Sequence, residues 1–325
     1  MNNMIKWLIL TVFISLTNFV QIYAQAMENT VSYRNIPSDR YFRINYENDF
    51  FTASDRDYTQ GILIEKVHPA LNRFFLMRIL WHPRNFESKY GLAIEHNAYT
   101  PNQIDKYAIQ YGDRPYGGVL LLKTFLIATS YEKKERISVS FSTGILGQAA
   151  GGEQMQRTIH YWINYTQPQG WHNQIQNDLV LNYQINGEKE LIHSQNHFSL
   201  SAFGSVRAGT LSDKLTGGLT ATLGDFKSAF SFPISNDHHI QWYIYGQILG
   251  NAIAFDATLQ GGAFNHSSVY TIGSSEINRL TLQNKFGFVI IFRSVYLEYY
   301  RTGLTQEFDT SHYHRTGGLQ IGFGF

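Results

Sequence analysis

The sequence of 325 residues has no cysteine, only 7 prolines and only 16 % charged residues. The lack of cysteine excludes a disulfide scaffold, a thiolate-ligated zinc or iron–sulfur centre and a thiol nucleophile. The charged fraction falls well below the roughly 25 % usual in a soluble domain. Neither sign is in excess, since 26 basic and 25 acidic side chains leave a net charge of +1. A nucleic-acid partner, which demands a clustered basic excess, is therefore not expected. Beyond residue 20 no apolar run approaches the ~18 residues of a membrane-spanning helix, and the mean hydropathy is −0.24. What is abundant is glycine (27), tyrosine (21) and phenylalanine (23). Low charge without high hydropathy fits a chain that alternates apolar with small polar residues, which is β-structure of a kind suited to a membrane.

The first residues read as an export signal. Lys6 precedes an apolar run from Trp7 to Val20, and Ala24-Gln25-Ala26 forms a small-x-small cleavage site. An uncleaved anchor is the alternative, but the run is shorter than the ~20 residues that span a bilayer. The expected organisation is a signal peptide at 1–26 and one β-barrel domain at 27–325. Export without cysteine suits a Gram-negative envelope.

Period-two alternation recurs through the rest of the chain. Ile137, Val139, Phe141 and Ile145 share one face, and Ser138, Ser140, Ser142 and Gly144 the other. Leu319, Ile321, Phe323 and Phe325 oppose Gly318, Gln320, Gly322 and Gly324. Such strands separate two unlike environments. A soluble sandwich alternates too. Three features favour a transmembrane antiparallel barrel: strands of ~10–15 residues, polar faces carrying Arg43, Glu47 and Glu298 as a lumen would, and Tyr296, Tyr299 and Tyr300 clustered like an aromatic girdle. Candidate strands lie at 41–51, 58–67, 90–98, 117–131, 136–147, 176–187, 192–208, 214–225, 239–257, 279–293, 295–304 and 315–325. The count is twelve, with ten or fourteen as alternatives, and an even number closes a barrel without an unpaired edge. A closed barrel has no obligatory partner, so a monomer is expected.

One stretch departs from the alternation. Between Gly151 and Asn164, Met155, Ile159 and Trp162 or Ile163 recur at helical spacing, and Gln156 and His160 stand at i and i+4. This predicts a short amphipathic helix in a long extracellular loop.

Polar residues crowd three rim segments. The first runs Glu47-Asn48-Asp49-Phe50-Phe51 and Ser54-Asp55-Arg56-Asp57-Tyr58-Thr59-Gln60-Gly61. The second joins Tyr99-Thr100-Pro101 to Gly112-Asp113-Arg114-Pro115-Tyr116-Gly117-Gly118, and the third joins Gln156 and His160 to Gly170-Trp171-His172-Asn173-Gln174. Asn48 and Asp49 offer hard oxygen ligands which, with Thr59 and backbone carbonyls, suit Ca²⁺. A nearby histidine acts as general base at neutral pH, and a cation stabilises the oxyanion of ester hydrolysis. The same residues also read more plainly. Asp55, Arg56 and Asp57 make a solvated turn, Asp113-Arg114-Pro115-Tyr116 a salt-bridged one, and Asn48-Asp49 a strand end. Alternation also sends Asn48 to the outer face and Asp49 to the lumen, unless the strand bulges or ends there.

Taken in order, these motifs resemble the outer-membrane lipid A 3′-O-deacylase family. The resemblance extends to Ala257-Thr258-Leu259-Gln260-Gly261 and Gln306-Glu307-Phe308, and so covers the chain from about Tyr41 onward. It implies a twelve-stranded outer-membrane barrel and a calcium-dependent esterase that removes the 3′-linked acyloxyacyl chain of lipid A. The implied partners are lipopolysaccharide and the outer-membrane lipids. By the same resemblance His160 is the general base, Asp49 the calcium ligand, and Asn48, Thr59 and Gln156 shape the site between the barrel wall and the loop helix. The chain departs from the family at Thr166, where the pattern has a glutamate six residues after the histidine. Two other functions are compatible with the same barrel. One is a phospholipase-type esterase, for which Ser142, Ser267 and Ser268 are the available nucleophiles, none in a recognisable motif with histidine. The other is a catalytically inactive pore or structural protein, for which the loss at Thr166 is the relevant feature.

Overall fold

The computed structural model describes residues 28–49, 58–194, 196–231, 240–311 and 314–325. The expected signal peptide, and the Phe50–Asp57 part of the first rim segment, lie outside the described residues.

Twelve antiparallel strands close into one barrel. They are β1 (Tyr41–Asn48), β2 (Gln60–Val67), β3 (Glu87–Tyr99), β4 (Gly117–Ser130), β5 (Glu135–Leu146), β6 (Asp178–Ser194), β7 (Phe198–Gly209), β8 (Ser212–Asp225), β9 (Gln241–Asp256), β10 (Leu280–Phe292), β11 (Val295–Leu304) and β12 (His314–Gly324). Each pairs with its sequence neighbours, and β1 closes on β12 with Tyr41 opposite Gly324. No helix among the described residues is long and apolar enough to cross a membrane; the strands do the crossing, each hydrogen-bonded to a neighbour on both sides. Both chain ends of the barrel lie at one rim. Most of its long connections, including 100–116, 147–177 and 257–279, lie at the other, which is the extracellular rim.

All twelve expected strands are present. The main correction concerns β6, which runs on to Ser194, so Ile192 to Ser194 belong to it and not to the start of β7. A bulge between Glu190 and Ile192 interrupts the alternation there, which made the strand look finished. The first strand is shorter than expected and ends at Asn48.

The alternation assigns the faces correctly. On β1, Arg43, Asn45 and Glu47 are buried toward the lumen while Phe42 and Ile44 are exposed outward. The lumen is not an open channel. Residues 28–40 fold into it and bond to strands on several sides. Arg34 pairs with Glu298 of β11 at 2.9 Å, with neither side chain exposed. Arg43 pairs with Glu65 of β2 and donates to the Arg34 carbonyl at 2.6 Å. The Ser32 amide donates to Glu188 of β6 at 2.7 Å, and the Tyr33 ring stacks on Tyr245 of β9 at 4.2 Å. Charges buried this deeply persist only because each has an opposite partner and further hydrogen bonds. A plug of this kind leaves no signature in a hydropathy pattern, and the sequence reading did not anticipate it.

Two connections fold back over the outer wall instead of standing clear of it. At the extracellular end the loop after β5 carries helix α1 (Gly152–Trp162), within the stretch expected to be helical. At the opposite end the β2–β3 connection, residues 68–86, forms a strap with two short 3₁₀ turns, Pro69–Arg73 and Phe75–Ile79. Its Met77 and Leu80 cluster with Leu126, Ala128 and Val139, which belong to the outward rows of β4 and β5.

Candidate active site on the outer wall

The site is assembled where α1 lies over the extracellular ends of β2, β3 and β4. On β3 and β4 the outward row ends in His96, Ala98 and Gly118, all buried although their strand faces point away from the lumen. The cover requires small residues. A Cβ on Gly152 would come within 2.7 Å of the Trp171 ring, and one on Gly118 within 3.2 Å of the Gly152 nitrogen. Helix and wall therefore meet at backbone distance, and Trp171 closes the gap behind them, fully buried against Ala98 and Tyr116. The His96 ring adds a bond across the seam, with Nε2 3.0 Å from the Ala150 carbonyl.

The α1 face turned to the wall is Gly152, Gln156 and His160, as the i, i+4 spacing implied. A chain of hydrogen bonds runs from β1 to the helix. Asn48 donates from Nδ2 to the Tyr46 hydroxyl at 3.0 Å and to the Thr59 carbonyl at 2.6 Å. The Thr59 hydroxyl lies 2.7 Å from that of Thr100 and accepts from Gln156 Nε2 at 3.3 Å. Gln156 Oε1 accepts in turn from Trp171 Nε1 at 2.6 Å. Both ends of the Gln156 amide are thus engaged, which fixes its orientation.

His160 sits one turn further along, 5 % exposed, with its ring edge-on to Tyr165 at 5.1 Å. Its Nδ1 is 2.6 Å from the carbonyl oxygen of Thr166. A carbonyl only accepts, so Nδ1 carries the proton and Nε2 is left with the lone pair a general base needs. Thr166 is the position at which the resemblance implied a glutamate, and its contact with the histidine is made by the backbone carbonyl and not by its side chain.

Asn48 and Asp49 meet the condition set by alternation. Strand pairing stops at Asn48, and Asp49 follows in the next turn, 1 % exposed. Among the described residues no three acidic or histidine side chains gather as a metal cluster. The available donors are the Asp49 carboxylate, the Asn48 side-chain oxygen and backbone carbonyls. These are hard oxygens, and they fit Ca²⁺ better than a soft metal. Asp55 and Asp57 lie outside the described residues.

Not every rim motif belongs here. Arg114 forms a buried ion pair with Glu307, donates to the Thr258 hydroxyl at 2.7 Å and lies over the Tyr99 ring at 4.3 Å. Burial works against the guanidinium charge, but Glu307, Tyr99 and Asp256 outweigh it, and the Arg114 pKa is raised. This network borders a cavity in the upper lumen, lined also by Lys123, Arg207 and Lys214. Arg114, Thr258 and Glu307 thus border the lumen and are not part of the His160 site, whereas Tyr116, from the same motif as Arg114, packs on Trp171 behind the helix. The residues that sequence reasoning quoted without a role are Thr100 and Trp171. The only signal available was a tryptophan in a polar loop directly after a glycine.

The serines offered as alternative nucleophiles are not placed for it. Ser142 is buried on the lumen face, Ser267 donates to Asn265 at 2.6 Å, and Ser268 accepts from the Gln176 amide at 3.1 Å.

Among curated protein sequences none matches the chain significantly. Among solved structures it is similar to LpxR from Salmonella typhimurium, with a TM-score of 0.71 and 19 % identity over 88 % of this chain and 100 % of that one. It is more distantly similar to the β domain of the Bordetella autotransporter BrkA, with a TM-score of 0.47 and 7 % identity over 88 % and 98 % of the two chains. The family model described as outer membrane protein LpxR matches residues 8–325. The chain therefore belongs to the LpxR family of outer-membrane proteins, in agreement with the resemblance carried by its rim motifs.

Proposed function

We propose that the protein is an ester hydrolase of the outer membrane that removes the 3′-linked acyloxyacyl chain of lipid A, with His160 as general base. The observation that carries this reading is the side of the wall on which the histidine lies. His160 and Gln156 are held against the outward face, beside exposed Tyr161, Trp162 and Ile163, and so lie on the side of the barrel where membrane lipid is found. A soluble substrate would be better served by the lumen.

His160 Nε2 takes a proton from water as the water oxygen attacks the ester carbonyl carbon. The tetrahedral intermediate collapses with cleavage of the bond to the sugar 3′ oxygen, which receives the proton back from the imidazolium. The products are a free 3′ hydroxyl on the sugar and the acyloxyacyl chain as its carboxylic acid. Thr166 holds the ring in the required tautomer throughout. Gln156, fixed by Trp171 and Thr59, keeps the helix in register with Asn48. Asp49 and the Asn48 side-chain oxygen would hold calcium, which when bound supplies positive charge against the developing oxyanion.

The test is mass spectrometry of lipid A from cells expressing wild type or His160→Ala. The expected result is loss of one acyloxyacyl unit with wild type only, suppressed by calcium chelation. Phospholipid loss with intact lipid A would favour the phospholipase reading. An unchanged profile with a correctly assembled barrel would remove the enzymatic one.

A further inference from the structure

The strap at the periplasmic end has no part in this chemistry. It covers Tyr90 and Leu92 of β3, Leu126 and Ala128 of β4, Ile137, Val139 and Phe141 of β5, and Tyr183 and Ile185 of β6. These belong to the rows that include the exposed Ile94, Leu120, Leu122 and Leu181 nearer the extracellular rim. The strap therefore occupies space that lipid would otherwise fill.

Its backbone is built for that place. A segment among lipids has no water to satisfy its peptide groups. In the strap the amides of Leu71, Phe74, Met77 and Leu80 each donate three residues back, at 2.9 to 3.2 Å. Where the turns end, a side chain from the barrel wall takes over. The Tyr183 hydroxyl accepts from the Trp81 amide at 2.8 Å and donates to the Ile79 carbonyl at 3.3 Å. His68 closes the other end, accepting from the Ala70 amide through Nδ1 at 3.1 Å.

Its outer surface has two characters. Phe75, Ile79 and Trp81 are 65 %, 47 % and 51 % exposed, and they continue the apolar surface of the wall. Arg73, Arg78 and Arg84 are also exposed, and residues 68–86 contain no aspartate or glutamate. Among the described residues no ion pair engages these arginines. An apolar face with tryptophan, bordered by cations of one sign, is the signature of an element lying in the membrane interface.

We propose that residues 68–86 form a binding site for anionic phospholipid of the periplasmic leaflet. Arg73, Arg78 and Arg84 bind the headgroup phosphates, and Phe75, Ile79 and Trp81 lie among the acyl chains. Guanidinium matches phosphate bidentately and suits this role better than an ammonium. The site is independent of His160, and its test does not read deacylation.

The folded, delipidated barrel in detergent is incubated with phosphatidylglycerol or phosphatidylethanolamine, and retained lipid is counted by native mass spectrometry. Wild type is expected to retain at least five-fold more phosphatidylglycerol than phosphatidylethanolamine. The triple substitution Arg73→Gln, Arg78→Gln, Arg84→Gln is expected to remove that preference, and Arg301→Gln, on the outer wall of β11, to keep it. Equal retention of the two lipids by wild type, or a preference unchanged in the triple variant, overturns the proposal. A second measurement covers a triple variant that fails to fold. In vesicles containing brominated phosphatidylglycerol, wild-type fluorescence is quenched and Trp81→Phe loses part of that quenching. If Trp81 instead answers to aqueous iodide, or is shielded from both by a bound protein, the strap is not a lipid site.

Discussion

Strands β3 and β4 are covered on their outer faces at both ends, and the two covers are built differently. At the periplasmic end the seam is hydrocarbon: Met77 and Leu80 against Leu126, Ala128 and Val139. At the extracellular end the seam is polar, with Asn48, Thr59, Thr100, Gln156 and Trp171 linked by hydrogen bonds and His160 beside them. An apolar seam can only anchor. Against a lipid background it does even that weakly, since covering an apolar wall with methionine and leucine gains little that lipid would not also give. Docking of the strap then rests on packing and on the two Tyr183 bonds. A polar seam out of water has the opposite character. Each group in it must be satisfied, so each is held in one orientation, and that pre-organisation is what a general base requires.

The contrast predicts that damage to the polar seam removes activity without loosening the barrel, whereas damage to the apolar seam does the reverse. The largest effect is expected at His160. Replacement by Gln should lower the deacylation rate by about 10²–10⁴-fold, the usual contribution of a positioned base, with the heat-modifiable mobility of the barrel unchanged. Trp171→Phe keeps the ring but deletes the donor to Gln156 Oε1, leaving a buried acceptor unmet at about 1–3 kcal/mol. Activity should fall about ten-fold, and Trp171→Ala should fall further and expose α1 to protease. Tyr183→Phe strands the Trp81 amide and the Ile79 carbonyl, so amide exchange at Trp81 should rise about ten-fold or more while deacylation stays at the wild-type rate. The smallest effect is expected at Thr166→Ala. The backbone carbonyl still accepts from His160 Nδ1, and activity should stay within about two-fold of wild type. A large loss there would mean that the side chain at this position, and not its backbone, supports the histidine.

Much of this was legible before the structure. Alternation on β5 and β12 showed which residues face out, because a one-residue slip would have turned every apolar side chain inward. The i, i+4 spacing placed Gln156 and His160 on one helix face, and the helix buries that face. Other features were hidden for physical reasons. Hydropathy records that Leu126 and Val139 are apolar on an outward face, but not whether lipid or a strap covers them. The plug mixes polar residues with Val31, Tyr33 and Ile36 and has no periodicity of its own, and its partners, such as Glu298 for Arg34, lie as far as 264 positions away. The rim motifs read as one cluster because all lie near strand ends. Only the path of the loops separates Arg114 and Glu307, which border the lumen, from Asn48 and Gln156 on the outer side. Thr166 stood out in the sequence for the side chain it lacks, whereas its carbonyl contact with His160 had no signal, because every residue has a carbonyl.

The central claim is that the chemistry takes place on the outer wall, within reach of the leaflet, and not in the plugged lumen. Site-specific photo-crosslinking in cells addresses it directly, with a benzophenone side chain at Trp162, the last residue of α1, or at Lys214 on the upper lumen cavity, each in the His160→Ala background so that substrate is not consumed. Crosslinks to lipopolysaccharide from position 162 and none from position 214 are predicted. Crosslinks from position 214 with none from position 162 would contradict the account.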